Sequence, residues 1–377
     1  VNDAVPAFDV LPMARPEIGA REQELVAEVL ASGVLSLGPM QGRFERALCE
    51  FTGAPFASTV SSGTAGLHLA IRAAGIRPGD EVVTSPLSFV ASANVMIYEG
   101  AKPVFADIDP VTLNIDPARA EEAVTDRTVG LLPVHLFGLV ADMPALERIA
   151  TEHNLWIVED ACESVGAVDT EGRQVGTRGH CAVLGFYPNK QIATGEGGMV
   201  FSPDAEIKAR IDSERNQGRA LDMGWLDHTR LGFNYRLSDV AAAIGVAQVE
   251  KLTEMLTNRE RVAELYSERL AGVANLTLPL KVEAPSYRSW FVYVVQLPKG
   301  SDRPEVMQRL QSEGVSSKPY MPAIHLQPYF RETYGHAPGD FPIAEDVAER
   351  SLALPFYPSM KSEEVERAAS ALERALS

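Results

Sequence analysis

The sequence predicts an α/β fold in which a large domain with a mostly parallel sheet is followed by a smaller α+β domain. Three observations lead there. From about residue 17 to 200, short β-branched runs alternate with longer amphipathic segments, the pattern of βα units around a parallel sheet. After about residue 238 this gives way to a long helical pattern and then to mixed strand and helix patterns. A length of 377 residues also exceeds what one minimal domain needs. We therefore expect a large domain over residues 1–245, with an N-terminal segment free to pack elsewhere, and a smaller domain over 246–377.

The expected strands of the large domain are Phe56–Val60, Glu81–Thr84, Pro103–Ala106, Val129–Val134 and Trp156–Glu159, each a short β-branched or apolar run. Thr64–Ala74, Ala91–Glu99 and Ala141–His153 carry helical spacing and supply crossovers between them. Ala182–Tyr187 and Gly198–Ser202 flank the loop that carries Lys190 and extend the sheet. Ser238 can cap a long helix through Ala241, Ile244, Val249 and Leu252, which bridges the two domains. Beyond it, Ser289–Gln296 reads as a strand, Pro304–Glu313 as a helix and Lys361–Leu376 as a terminal helix with apolar Val365, Ala368 and Leu372 on one face. The Pro- and Gly-containing stretch Tyr320–Pro342 is the most loop-like and is placed to cover an active site.

Composition narrows the function. A net charge of −17 opposes nucleic acid or an anionic membrane surface as the main partner, since both are met by basic patches. Any anionic ligand must then be held by local groups. Cys49, Cys162 and Cys181 form no CxxC pair and no metal-like spacing with histidine, so no metal site is expected and the chain reads as reduced and cytoplasmic. Val1–Pro16 lacks a basic region followed by an apolar run, so no signal peptide is expected there, and no stretch is apolar enough for a membrane helix.

Four segments carry candidate chemistry, and each has a plainer reading. Ser61-Ser62-Gly63-Thr64-Ala65 follows a strand and starts a helix, where backbone N–H groups suit a phosphate dianion; a simple helix cap looks the same. Trp156–Glu163 is an apolar strand ending in the acids Glu159 and Asp160, which alternation puts on opposite faces. A carboxylate there can hold a protonated pyridine nitrogen, or only cap a turn. Lys190, in a polar, glycine-rich stretch, can form a Schiff base with an aldehyde if desolvated, or be an ordinary solvated side chain. Gly232-Phe233-Asn234-Tyr235-Arg236 offers an amide and a cation to an anion, or is an ordinary loop.

Taken in order, these segments resemble the DegT/DnrJ/StrS family of sugar aminotransferases, together with Ser85–Ala91, Pro103–Asp109, Pro133–Gly138, Thr194–Gly198, Ile324–Gln327 and Phe341-Pro342 to Leu354-Pro355. The resemblance spans nearly the whole chain. It implies the type I fold of pyridoxal-phosphate-dependent transferases. Lys190 matches the lysine that carries the cofactor, Asp160 the partner of the pyridine nitrogen, and Gly63, Thr64 and Ala65 the phosphate turn. Phe89 matches the aromatic residue stacked on the ring, and Asn234 a phosphate ligand supplied by a neighbouring subunit, so a homodimer with shared active sites is implied. Tyr320 and His325 are candidate substrate contacts, whereas His135 reads as a packing residue at a strand end.

Two departures from the family pattern stand out. Gly185 occupies the place of a serine that binds the phosphate, and Glu163 stands where many relatives have Gln or His. Glu163, counted among the cofactor-binding residues, resembles the subset acting at C4 of nucleotide-linked 4-keto sugars. The expected function is transfer of an amino group from an amino acid, L-glutamate by resemblance, to a keto sugar. The competing readings are a sugar dehydratase, disfavoured because those relatives have histidine in place of the lysine, a cyclitol aminotransferase, and a non-catalytic protein that binds the same cofactor.

Overall fold

The computed structural model describes residues 10–220 and 227–377. Residues 1–9, part of the stretch where no signal peptide is expected, lie outside them. Seven strands form the large sheet: β1 (Phe56–Val60), β2 (Glu81–Thr84), β3 (Lys102–Phe105), β4 (Thr128–Leu132), β5 (Trp156–Asp160), β6 (Cys181–Gly185) and β7 (Gly198–Ser202). They lie in the order β1-β7-β6-β5-β4-β2-β3, parallel except that β7 runs against both β1 and β6. All seven expected strands are present. Their ends differ by no more than the residue or two over which hydrogen bonding frays.

A parallel sheet puts the carboxyl ends of its strands along one edge, where loops can form a ligand crevice. The helix Gly63–Ala73 packs against the sheet with Leu67, Leu69, Ala70 and Ile71 buried. Ser62 caps it, its Oγ accepting from Ala65 N at 3.1 Å. The second sheet is small and antiparallel, with β8 (Tyr293–Gln296), β9 (Lys318–Pro319) and β10 (Ser351–Leu354) in the order β8-β10-β9. β8 is shorter than the expected Ser289–Gln296. Trp290 has φ 51°, outside the extended region, and the carbonyls of Trp290 and Phe291 accept from Arg259 instead of a strand.

Ser238 caps a helix as expected, its Oγ accepting from Ala241 N, but that helix is Asp239–Glu250 and a second, Leu252–Leu270, follows a break at Lys251. The expected division at residue 245 falls inside the first of these. Gly245 sits under Phe44, where a Cβ would lie 2.6 Å from the ring, and Ala242, Val246 and Leu252 belong to the core of the large sheet. The core changes within Leu252–Leu270, whose Val262, Tyr266 and Leu270 pack with β8, β10 and the terminal helix Ser362–Leu376. Leu11 joins that second core and pairs with Val315, while Met13 packs against the core of the large sheet. The loop-like stretch Tyr320–Pro342 contains a short helix, Pro328–Tyr334. Among the described residues no helix is long and apolar enough to cross a membrane, and no cluster of His, Cys, Asp and Glu could hold a metal.

Candidate active site

At the carboxyl edge of the large sheet a cavity of about 550 Å³ is lined by Ser62, Gly63, Thr64, Phe89, Asp160, Glu163, Lys190 and Tyr320, among others. The helix start at one end has two N–H groups to offer. Ala65 N is taken by Ser62 Oγ and Gly66 N by Ser62 O, while the N–H groups of Gly63 and Thr64 have no acceptor among the described residues. Ala65, expected in the phosphate turn, therefore has no free N–H to offer. A phosphate fits against the Gly63 and Thr64 amides, where the helix dipole also favours negative charge. Among the described residues lining the cavity, Lys190 alone is cationic.

Asp160 ends β5 at the other side and is 6% exposed. Ser92 donates its hydroxyl to Asp160 Oδ2 at 2.7 Å, and Cys162 N donates to Oδ1 at 3.2 Å. Ser88, one helical turn earlier, hydrogen-bonds Ser92 at 3.0 Å. The carboxylate is thus fixed in orientation with lone pairs left for the cavity. Glu159, on the opposite face as alternation requires, accepts from the N–H groups of Gly176 and Arg178 and pairs with His135 at 2.9 Å. His135 is fully buried, as expected of a packing residue.

Lys190 Nζ lies 3.4 Å from Glu163 Oε1 and 3.9 Å from the centroid of the Phe291 ring. Its main chain is held from behind. Arg259 donates to Lys190 O at 3.3 Å, and Gln191 Nε2 donates to Glu163 O at 2.6 Å and to Ser289 Oγ at 2.9 Å. Glu163 Oε2 accepts from Phe137 N at 3.0 Å. Burial pushes the Glu163 carboxyl above the usual carboxylate range, against the opposing pull of the Lys190 ammonium and the Phe137 N–H. Arg259 is itself buried with only carbonyl acceptors, and desolvation lowers its pKa to about 10.

The missing serine at Gly185 has a steric counterpart. A Cβ at Gly185 would lie 3.3 Å from Cys162 Cβ, and one at Gly63 would lie 2.7 Å from Cys162 Sγ. Cys162 occupies the volume between the phosphate turn and β6, and burial pushes its thiol well up, so it stays protonated. Gly63→Ala is expected to cost about 1–3 kcal/mol through overpacking, seen as a lower Tm, and Cys162→Ala in the same chain to return most of it. No recovery in the double variant would contradict this account of the wall.

Phe89 is 63% exposed and lines both this cavity and a second one. Tyr320 accepts from Asn189 Nδ2 at 3.1 Å and sits where this cavity meets a second one. His325 is a correction to expectation: it is fully buried, its Nε2 is 3.0 Å from Glu345, and it lines neither cavity. Asn234 is exposed and does not reach the cavity of its own chain. Ser92, Arg259 and Phe291 are site residues that no motif singled out, because tertiary contact brings them in, whereas Cys162 and Gln191 lie beside Asp160 and Lys190 in the sequence.

The free N–H pair, the oriented carboxylate and the lysine amine open on one cavity, a donor set that fits pyridoxal phosphate. Comparison with known proteins agrees. The sequence matches the DegT/DnrJ/EryC1/StrS aminotransferase family over residues 16–373. It is 38% identical over 369 residues to the spore coat polysaccharide biosynthesis protein SpsC of Bacillus subtilis, covering 94% of each chain. It is 36% identical to the GDP-perosamine synthase of Caulobacter vibrioides, over 97% of this chain and 98% of that one. The crystal structure of S. venezuelae DesV superposes with a TM-score of 0.91 at 32% identity, covering 97% of this chain and 98% of that one. The chain belongs to the DegT/DnrJ/EryC1/StrS family, whose enzymes are pyridoxal-phosphate-dependent aminotransferases.

Proposed function

We propose that this aminotransferase moves an amino group from L-glutamate to C4 of a nucleotide-linked 4-keto-6-deoxy sugar, working as a homodimer with shared active sites. The observation that carries the choice of acceptor is Glu163, an acid 3.4 Å from Lys190 Nζ that resembles the subset of the family acting at C4 of 4-keto sugars. The similarity to a GDP-perosamine synthase supports the same choice. Space for the acceptor adjoins the cofactor cavity. A second cavity of about 830 Å³ shares Ser88, Phe89, Tyr320 and Met321 with it and adds the aromatic rings of Tyr98, Tyr329 and Phe330 with Asn94 and Gln327. Its size and aromatic walls suit a sugar joined to a nucleoside.

Bound pyridoxal phosphate supplies an electron sink for the negative charge left at a carbon that loses its proton. Asp160, held by Ser92, would hold the ring nitrogen and favour its protonated form by its opposite charge. Lys190 Nζ takes the proton from the α-carbon of glutamate in the first half-reaction and delivers one to the acceptor carbon in the second. Glu163 keeps that amine pointed into the cavity and offers a nearby site for its surplus proton. Phe89 covers the open face and limits water.

The phosphate end supports the reading of a second subunit at the site. Two N–H groups and, among the described residues, no cation besides Lys190 are a thin set for a dianion, and the exposed Asn234 side chain makes no hydrogen bond among the described residues. Purified enzyme charged with L-glutamate should aminate a 4-keto-6-deoxy nucleotide sugar and leave the 3-keto isomer and cyclitol ketones largely untouched. Preference for either of those would overturn the acceptor assignment. Sedimentation should give a dimer, and a fully active monomer would overturn the shared site.

Glu163 also predicts a pH effect on stability. Its raised pKa means that the folded state holds the proton more tightly than the unfolded one. The resulting stability is complete below the ordinary glutamate range and is lost as pH rises through the raised value. Cofactor-free Glu163→Gln should therefore match the parent Tm in acid and exceed it increasingly above that range; a pH-independent difference would contradict this.

A further inference from the structure

Phe233, Asn234 and Tyr235 form an extended stretch, bridged to Asn216, whose aromatic residues are locked while the exposed side chain of the asparagine between them makes no hydrogen bond among the described residues. The rings of Phe233 and Tyr235 stack at 4.9 Å and 11°, and alternation turns Asn234 the other way. The Phe233 ring also lies against His68 at 4.8 Å and under the Arg72 guanidinium at 5.1 Å. The Tyr235 hydroxyl is 3.2 Å from His68 Nδ1, and His68 Nε2 is 2.7 Å from Glu99 Oε1. Arg72 closes the network on Glu99 at 2.8 Å and Glu214 at 2.7 Å.

The protons in this network can be assigned. A carboxylate only accepts, so His68 Nε2 carries the hydrogen facing Glu99. Burial lowers the His68 pKa and keeps the ring neutral, which leaves Nδ1 bare to accept from Tyr235. Burial raises the Tyr235 pKa, so that hydroxyl keeps its proton. The main chain is pinned as well: Phe233 N donates to Glu214 O at 2.6 Å, Tyr235 N to Arg215 O at 2.9 Å, and Ser61 N to Tyr235 O at 2.8 Å.

Burying His68 and Glu214 and half-burying Arg72 and Glu99 is costly, and breaking such a network leaves charge poorly compensated. None of His68, Arg72, Glu99, Phe233 and Tyr235 lines either cavity, and the network meets the acceptor cavity of its own chain through the edge-on contact of His68 with Tyr98 at 5.5 Å. What the network does hold is the backbone on both sides of Asn234. We propose that His68 and Tyr235 are positioning residues that hold Asn234 ready for the cofactor phosphate bound by the partner subunit. The proposal rests on the shared-site reading above. Ordering Asn234 before the phosphate arrives removes that cost from binding. The same helix, Gly63–Ala73, presents its own phosphate turn at its start and holds the partner-directed segment through His68 and Arg72 farther along.

The test is a titration of the cofactor-free dimer with pyridoxal phosphate and, in parallel, with pyridoxal, which lacks the phosphate. Asn234→Ala should weaken pyridoxal phosphate about 10- to 100-fold, as expected for a hydrogen bond to a charged group, and leave pyridoxal unchanged. Tyr235→Phe, which keeps the stacked ring, should weaken pyridoxal phosphate about three- to tenfold with pyridoxal again unchanged, and His68→Gln should follow it. The double variant Asn234→Ala with Tyr235→Phe should bind no more weakly than Asn234→Ala alone. Additive losses would mean that Tyr235 acts through Ser61 in its own subunit and would overturn the proposal. So would equal losses for both ligands, or no loss in Tyr235→Phe and His68→Gln. In each of these cases the shared-site reading stands if Asn234→Ala still weakens pyridoxal phosphate alone; no effect of Asn234→Ala would remove that reading and the proposal with it.

Discussion

Lys190→Arg is expected to bind pyridoxal phosphate through the Gly63 and Thr64 amides and Asp160, yet to lose steady-state transamination by about a thousandfold or more. A guanidinium stays protonated under all ordinary conditions, so it neither bonds to the cofactor aldehyde nor accepts a proton from the donor's α-carbon. The arginine also cannot reproduce the present contacts, in which a compact ammonium lies against Glu163 Oε1 and the Phe291 ring. Gel filtration followed by absorbance would show whether cofactor stays bound, and a coupled assay with L-glutamate would report turnover. Retention of more than about a tenth of the parent rate would contradict the role given to Lys190, since losing acid–base catalysis alone costs about a hundredfold or more.

Asp160→Asn should leave the fold intact and lower kcat by about 10²–10³, the usual cost of removing one oriented electrostatic group from a site. The amide is close in shape to the carboxylate: its oxygen can still accept from Cys162 N while its NH2 donates to Ser92 Oγ, so both contacts are kept with one of them reversed. It lacks the negative charge that favours a protonated ring nitrogen, and the electron sink weakens accordingly. A variant with unchanged Tm and unchanged kcat would remove Asp160 from the mechanism. One with a much lower Tm would mark Asp160 mainly as a structural residue.

Much of this site was legible in the sequence for identifiable physical reasons. A strand that ends in an acid at the carboxyl edge of a parallel sheet points into the crevice, which makes Asp160 readable, and alternation sends Glu159 away from it. The small polar residues before Thr64 mark a helix start whose first amides have no partner in the helix. Ala65 was out of reach, because only the structure shows Ser62 Oγ already bonded to its N–H. His325 lies in a motif that looks exposed, but helix packing buries it against Glu345. Phe291 and Arg259 hold Lys190 from positions that no local pattern connects to it. The break at Lys251 was hidden as well, since apolar spacing continues across it from Val249 to Leu252.

The central claim is that one cavity holds pyridoxal phosphate on Lys190 and that an amino acid discharges it. The most direct measurement is the absorbance spectrum of the purified protein before and after addition of L-glutamate. The account predicts a visible band for the lysine-bound cofactor that glutamate converts to the shorter-wavelength band of the amine form, with 2-oxoglutarate released in equal amount. A lysine-bound band that glutamate and every other amino donor leave unchanged would contradict the aminotransferase assignment while leaving the fold and the cofactor site in place.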